Sequence, residues 1–223
     1  YYLNARLDMM KANLFQGAIL VAIMLSLFLR FKLALWVMIG LPVCFLGAMM
    51  LMPLFGITIN IVSLFAFIMV LGIVVDDAIV IGESSYAEIQ RFGHSTDNIV
   101  NGTMRVAMPA TFGVLTTIAA FAPLLMIDAT FAAFFRAIAL VVSFCLLFSL
   151  IESKWILPAH LVHMKYIPLT PENSNWFERQ QTKFKDGLNN FIQHKYKPWL
   201  EIALIARYNT MASFIAILIL SVG

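Results

Sequence analysis

Charged residues are scarce in this chain: only 12% of its 223 residues are Asp, Glu, Lys or Arg. Soluble domains average about 25% charged and about 45–50% apolar residues, whereas this chain is 61% hydrophobic. This balance excludes an ordinary soluble domain and predicts a membrane protein. Cysteine is rarer still, with two residues. Cys44 and Cys145 both lie inside apolar runs, so a disulfide framework is unsupported.

Motifs for catalysis and for nucleotide binding are also missing from the sequence. Without a nucleophile–His–acid set or a phosphate-binding loop, we expect neither an enzyme nor ATP-driven transport, and we predict no cofactor and no nucleic-acid partner. The thirteen methionines could bind copper(I), but Met in an apolar helix more often fills packing space. His160 and His163 have no third ligand nearby, so no metal site is predicted.

Long apolar runs divide the chain into membrane spans, each needing about 20 mostly apolar residues. The predicted fold is all-α: a polytopic transmembrane helix bundle with five full spans and a partial sixth. The full spans are about 14–29, 33–54, 57–81, 106–127 and 134–151. The bundle would occupy 1–173, and a further transmembrane helix would begin at 208–223. The opening "YYLNARLDMM" has no initiator Met and the closing "FIAILILSVG" is apolar, which suggests a piece of a larger protein.

The basic residues predict how the spans are oriented. Twelve of the fifteen Lys and Arg residues lie in three connections, "RFK", 83–105 and 154–207. Because Lys and Arg favour cytoplasmic loops, these connections are predicted to be cytoplasmic. The first span would then enter from the outside.

Residues 174–200 have the pattern of an amphipathic helix. Aromatic and aliphatic side chains recur at helical spacing among basic residues, at Trp176, Phe177, Phe184, Leu188 and Phe191. This mixture predicts a helix that lies on the cytoplasmic membrane surface. The alternative is a helix that packs on a soluble domain outside this chain.

Two adjacent acids, Asp76 and Asp77, interrupt the third apolar run within "LGIVVDDAIVIGE", residues 71–83. Each ionised Asp at the centre of a span costs about 2.5–3.5 kcal/mol, and such residues usually face a bundle interior and mark ion or proton pathways. A low dielectric and a like-charged neighbour favour the neutral carboxyl, so at least one of the pair is predicted to exchange a proton near neutral pH unless a cation lies nearby. The alternative is an ion pair that only fixes helix packing.

The other charges near this pair lie close to the predicted span ends, Glu152 and Lys154 among them. We therefore expect a cationic partner of the aspartates to come from outside this chain. Glu83 follows Asp76 by seven residues, which is about two helical turns on the same face. It is a possible proton exit, or alternatively an ordinary residue of the membrane interface.

At these residues the sequence resembles a known family. "LGIVVDDAIVIGE" resembles the fourth transmembrane helix of the resistance–nodulation–division (RND) transporters, in the hydrophobe/amphiphile efflux branch. The resemblance continues in order, with residues 26–80 similar to helices two to four, "AMPATFGVLTTIAAFAPLLM" to helix five and "FFRAIALVVSFCLLFSLIESKWILPAHL" to helix six. "NWFERQQTKF" is similar to the family's surface helix, and the last run to the start of helix seven.

The resemblance implies a twelve-helix bacterial inner-membrane protein with two extracytoplasmic porter domains. It would work as a homotrimer with a periplasmic adaptor and an outer-membrane channel, exporting amphiphilic compounds against protons. Asp76 and Asp77 would match the family's proton-relay acids, whose partners are a lysine on helix ten and polar residues on helix eleven. Heavy-metal exporters tend to carry a single aspartate followed by alanine, so the doublet favours organic substrates. A protein-export or lipid-handling relative and a non-transporting assembly subunit remain alternatives.

Overall fold

The computed structural model describes residues 2–127, 131–164 and 176–222, and within these ranges all regular structure is helical. The all-α prediction is confirmed. The α-helices are α1 (Tyr2–Phe28), α2 (Phe31–Leu51), α3 (Ile61–Phe92), α4 (Thr96–Phe121), α5 (Ala132–Ile151), α6 (Leu157–His163), α7 (Trp176–Phe191), α8 (Lys197–Ile205) and α9 (Arg207–Val222). Short 3₁₀ turns follow α2 (Met52–Phe55) and α4 (Ala122–Met126), and π turns follow α5 (Glu152–Ile156) and α7 (Ile192–Tyr196).

Four helical stretches in the described ranges are long and apolar enough to cross a membrane. They are Lys32–Phe55, Ile61–Phe92, Thr96–Met126 and Ala132–His163. The bent pair Arg179–Ile205 and Arg207–Ser221 would make a fifth if it forms one span. The first predicted span lies in α1, but the apolar part of that helix, Ala12–Ser26, is shorter than the others.

An N-terminal cap at Asn60 fixes the start of α3. The Asn60 side chain accepts hydrogen bonds from the backbone N–H groups of Val62 and Ser63, and the Ser63 hydroxyl accepts one from the Asn60 N–H. This reciprocal capping box satisfies donors that a helix start otherwise leaves free. Before it, Gly56 adopts a left-handed turn at φ 69°. Helix α3 therefore starts at Ile61 rather than near residue 57, and it continues past the predicted end at 81 to Phe92.

A close antiparallel contact joins the C-terminal half of α3 to the start of α4. The Ser84 hydroxyl donates to the Gly102 carbonyl at 2.7 Å, and the hydroxyls of Ser85 and Thr103 are 3.0 Å apart. An ion pair of 2.9 Å joins Arg105 to Glu88. Most of the 83–105 connection is thus helical, and only residues 93–95 separate the two helices.

The last long span does not end at Ile151, where the apolar run is interrupted. The π turn carries the helix through Glu152 and Lys154 into α6, and the whole stretch Ala132–His163 is one candidate span. At its far end the rings of His160 and Trp36 are 4.1 Å apart. The other histidine, His163, bonds back to the Ala159 carbonyl, so the two histidines have separate partners.

Helix α3 lies at the centre of the first compact unit, residues 1–168, and packs against α1, α2, α4 and α5. Its buried side is apolar and includes Phe67, Val70, Val74 and Ile81. The aspartates therefore lie on the most enclosed helix of this unit, which is what places them near side chains from other spans.

The second compact unit contains α7, α8 and α9. Thr210 of α9 donates to the carbonyl of Ala203 in α8, and the two helical stretches meet at a bend of 96°. The amphipathic segment predicted at 174–200 is helical from Trp176, and its first two residues lie outside the described ranges. Its place on the cytoplasmic membrane surface stays a prediction, as do the predicted domain limits.

Candidate functional site

The two aspartates lie in the middle of α3 and have different surroundings. Asp76 is exposed on this chain, whereas Asp77 is half-buried. The Ser149 hydroxyl of α5 donates a hydrogen bond of 3.4 Å to Oδ2 of Asp77. The roughly 100° between successive residues of a helix explains this difference, because it turns one carboxyl towards α5 and leaves the other on the outer face.

Lys154 supplies a positive charge close to this pair. Its ammonium group donates a hydrogen bond to the Thr111 hydroxyl of α4, and its charge acts on the Asp77 carboxyl. The prediction that Glu152 and Lys154 lie near the end of a span is wrong, because the helix continues for about three further turns beyond the interruption at 152–154. Among the described residues no ion pair joins Lys154 to either aspartate, so a cationic partner from outside this chain stays a prediction.

Glu152 is a second acid inside the bundle, and it is far more enclosed than Asp77. Only 2% of its surface is exposed. Its carboxyl group lies against Gly40 of α2, where an added Cβ would overlap it. Cys44, one turn further along α2, is within electrostatic range of both Glu152 and Asp77.

Glu83, the possible proton exit, is exposed on α3. It follows Asp77 by six residues, about 9 Å along the helix axis. The structure brings Asp77 together with Ser149, while Glu83 is exposed away from the enclosed part of the bundle. Its role as an exit stays a prediction.

Three polar residues of this site were not identified from the sequence: Ser149, Glu152 and Lys154. A signal was present, because "WILPAHL" resumes the apolar pattern directly after "ESK". A polar interruption of three residues flanked by apolar residues on both sides is compatible with one continuous helix. In the described ranges, no group of three or more His, Cys, Asp or Glu residues is arranged to hold a metal ion.

Comparisons with known proteins show which family this chain is similar to. The sequence profile of the AcrB/AcrD/AcrF family matches residues 2–223. The toluene efflux pump membrane transporter TtgE of Pseudomonas putida is 25% identical over 221 residues, which are 91% of this chain and 20% of TtgE. The swarming motility protein SwrC of Bacillus subtilis is 29% identical over 197 residues, 85% of this chain and 19% of SwrC.

Among solved structures, the crystal structure of a heavy metal efflux pump superposes with a TM-score of 0.61 at 30% identity. The match covers 70% of this chain and 15% of that pump. The chain spans about a fifth of the length of TtgE and SwrC.

Proposed function

Because the chain belongs to the AcrB/AcrD/AcrF family of RND transporters, we propose that it is part of the membrane domain of a proton-driven efflux transporter in a bacterial inner membrane. The proposal rests on one observation above the others. A half-buried carboxyl, Asp77, accepts a hydrogen bond from a hydroxyl of another helix in the centre of an apolar bundle, within the electrostatic range of the Lys154 ammonium group.

This geometry supports a protonation cycle at Asp77. When the carboxyl is ionised, the nearby Lys154 charge and the Ser149 hydrogen bond stabilise it. When it takes up a proton, its charge disappears and the attraction on Lys154 is lost. Each elementary charge that crosses the membrane potential contributes about 2.3 kcal/mol per 100 mV, and the cycle would couple that energy to the helices that carry these groups.

Asp76 would complete the relay from the outer face of α3. It is exposed on this chain, so it is available to contact the larger part of the transporter that this chain does not include. The family resemblance expects a lysine there. Lys154 would then be a second cation, on the opposite side of the aspartate pair.

The proposed substrates are hydrophobic or amphiphilic organic compounds. The aspartate doublet favours this class, and the name of TtgE describes a toluene efflux pump. A homotrimer with a periplasmic adaptor and an outer-membrane channel is the assembly that the family implies for the full-length transporter.

The first prediction tests the relay directly. In the full-length transporter, Asp77→Asn and Asp76→Asn should each abolish substrate-coupled proton flux while the protein still assembles, because the amide has the carboxyl's shape but cannot exchange a proton. The flux is measured with a pH-sensitive dye trapped in liposomes that contain the transporter, with ethidium as the exported probe.

Asp97→Asn is the matched control, since Asp97 is an exposed acid in the first turn of α4 and its loss should leave the flux unchanged. Full export by both variants at positions 76 and 77 would reject proton coupling at this site and favour the assembly-subunit alternative.

A further inference from the structure

Glu152 is an almost completely buried acid, and the family's aspartate motif assigns it no role. No hydrogen bond or ion pair reaches its side chain from residues 2–127, 131–164 or 176–222. An ionised carboxylate in such a position costs several kcal/mol unless a partner compensates it. Ionisable residues inside membrane bundles are accordingly rare and usually functional.

The space that the Glu152 carboxyl group occupies exists because residue 40 is a glycine. A Cβ at Gly40 would overlap the Glu152 carboxyl group and would lie only 2.9 Å from its Cγ. Because Gly40 has no side chain, the Glu152 carboxyl lies directly against the backbone of α2. The π turn that starts at Glu152 changes the direction of the following side chains, and it allows Lys154, two residues later, to reach Thr111 on a different helix.

Ser149 bonds to Asp77 and is close to Glu152 along its own helix. Its hydroxyl donates to Asp77, and it precedes Glu152 by three residues, so the two side chains lie on neighbouring positions of one helix face. Glu152 is about 4.5 Å further along the helix axis than Ser149, towards His163. The titratable group next to Glu152 on α2 is Cys44, which is within electrostatic range of both Glu152 and Asp77. On its own helix, Lys154 follows two residues later and is bound to Thr111 of α4.

We propose that Glu152 is the proton acceptor that follows Asp77 on the way to the cytoplasm. This inference rests on the proposed proton relay. In the step, the O–H bond of protonated Asp77 breaks and an O–H bond forms on the Glu152 carboxylate, with the Ser149 hydroxyl passing one proton on as it receives another. Asp77 becomes the anion, and Lys154 balances its charge. Glu152 then releases the proton to water at the His163 end of the bundle.

The test compares three variants of the full-length transporter in the dye-loaded liposomes, with ethidium as the probe. Glu152→Gln keeps the shape of the side chain but cannot accept a proton, and it should lower the coupled proton flux roughly a hundredfold, the lower end of what a positioned proton-transfer group contributes. Glu152→Asp keeps the carboxyl and should restore a measurable part of the flux.

Ser153→Ala is the matched control. Ser153 is the adjacent residue, it is fully buried, and its hydroxyl has no hydrogen-bond partner among the residues that the structure describes. Its flux should therefore equal that of the parent protein. Infrared difference spectra provide a second readout, because the protonated-carboxyl band that belongs to Glu152 should disappear in Glu152→Gln and persist in Ser153→Ala.

The outcomes separate this inference from the proposed function. Loss of flux in both Asp77→Asn and Glu152→Gln, with partial recovery in Glu152→Asp, supports a relay through Glu152. Normal flux in Glu152→Gln beside loss in Asp77→Asn rejects the role of Glu152 and leaves the relay at Asp77 intact. Equal loss in Glu152→Gln and Glu152→Asp, with no change of the infrared band, shows a packing role and also rejects the inference. Normal flux in Asp77→Asn rejects both.

Discussion

At the scale of single residues, two glycines of α4 have opposite surroundings. A Cβ on Gly102 would lie 2.5 Å from the Ser85 Cα and 2.8 Å from the Ser84 carbonyl oxygen, both backbone atoms that cannot rotate away. A Cβ on Gly113 would meet nothing within 4 Å. The first glycine permits the contact of α3 with α4, whereas the second has no packing role in the described part of this chain.

This contrast gives a prediction for a matched pair of variants. Gly102→Ala should destabilise the transporter by about 1–3 kcal/mol, the usual cost of overpacking. Gly113→Ala should not lower the stability of the transporter. It should raise that stability by up to about 1 kcal/mol, because Ala forms helix better than Gly. The measurement is the temperature at which half of the purified full-length protein is lost from its monodisperse elution peak. Equal temperatures for the two variants would contradict the close helix contact.

At the scale of the helices, composition and periodicity were sufficient to predict the all-α bundle and the approximate position of each apolar stretch. The ends were less predictable. Helices α3 and α4 continue beyond their apolar runs because Ser84, Ser85 and Thr103 bond to one another or to backbone across the pair. A window of hydropathy cannot detect bonds between residues that are 18 positions apart.

The candidate site was predictable to the extent that it follows one helix. Asp76 and Asp77 are recognisable because acids are rare in an apolar run. Ser149, Glu152 and Lys154 were not recognised, since their relation to Asp77 depends on how α5 packs against α3 and on the π turn that keeps the helix continuous. The packing has no local sequence signature, and the continuity of the helix is indicated only by the apolar residues that resume after "ESK".

The start of α3 provides a prediction at this scale. Asn60→Ala removes the acceptor for the backbone N–H groups of Val62 and Ser63, and loss of such a cap costs about 0.5–2 kcal/mol. Hydrogen exchange of the amides in the first turn of α3 should therefore accelerate, about fivefold for each kcal/mol. It is measured by mass spectrometry on the peptide that spans this turn.

Asn60→Asp is the control, because the carboxylate keeps the acceptor oxygen and should retain slow exchange. Unchanged exchange in Asn60→Ala would show that the cap does not hold this helix end.

At the scale of the whole molecule, the distribution of basic residues predicts which ends of the spans face the cytoplasm. Ile59 precedes α3 and Phe92 ends it, and both are well exposed, at 62% and 69%. They should lie on opposite sides of the membrane. The native Cys44 and Cys145 are completely buried, so neither should react with a bulky thiol reagent.

The orientation is therefore testable by labelling. In spheroplasts that express the full-length transporter, a membrane-impermeant maleimide should modify Ile59→Cys and leave Phe92→Cys unmodified, while inside-out vesicles should give the reverse. The labelled peptides are identified by mass spectrometry. Modification of Phe92→Cys in spheroplasts would reverse the assigned topology.

The length of α3 has a mechanical meaning. Its 32 residues extend about 48 Å, whereas the hydrocarbon core of a bilayer is about 30 Å thick. The part of α3 that exceeds this thickness is joined to α4 by the Ser84–Gly102 hydrogen bond and the Arg105–Glu88 ion pair. These contacts hold the two helices together at this end. A tilt of α3 at the depth of its aspartates would therefore carry the start of α4 with it.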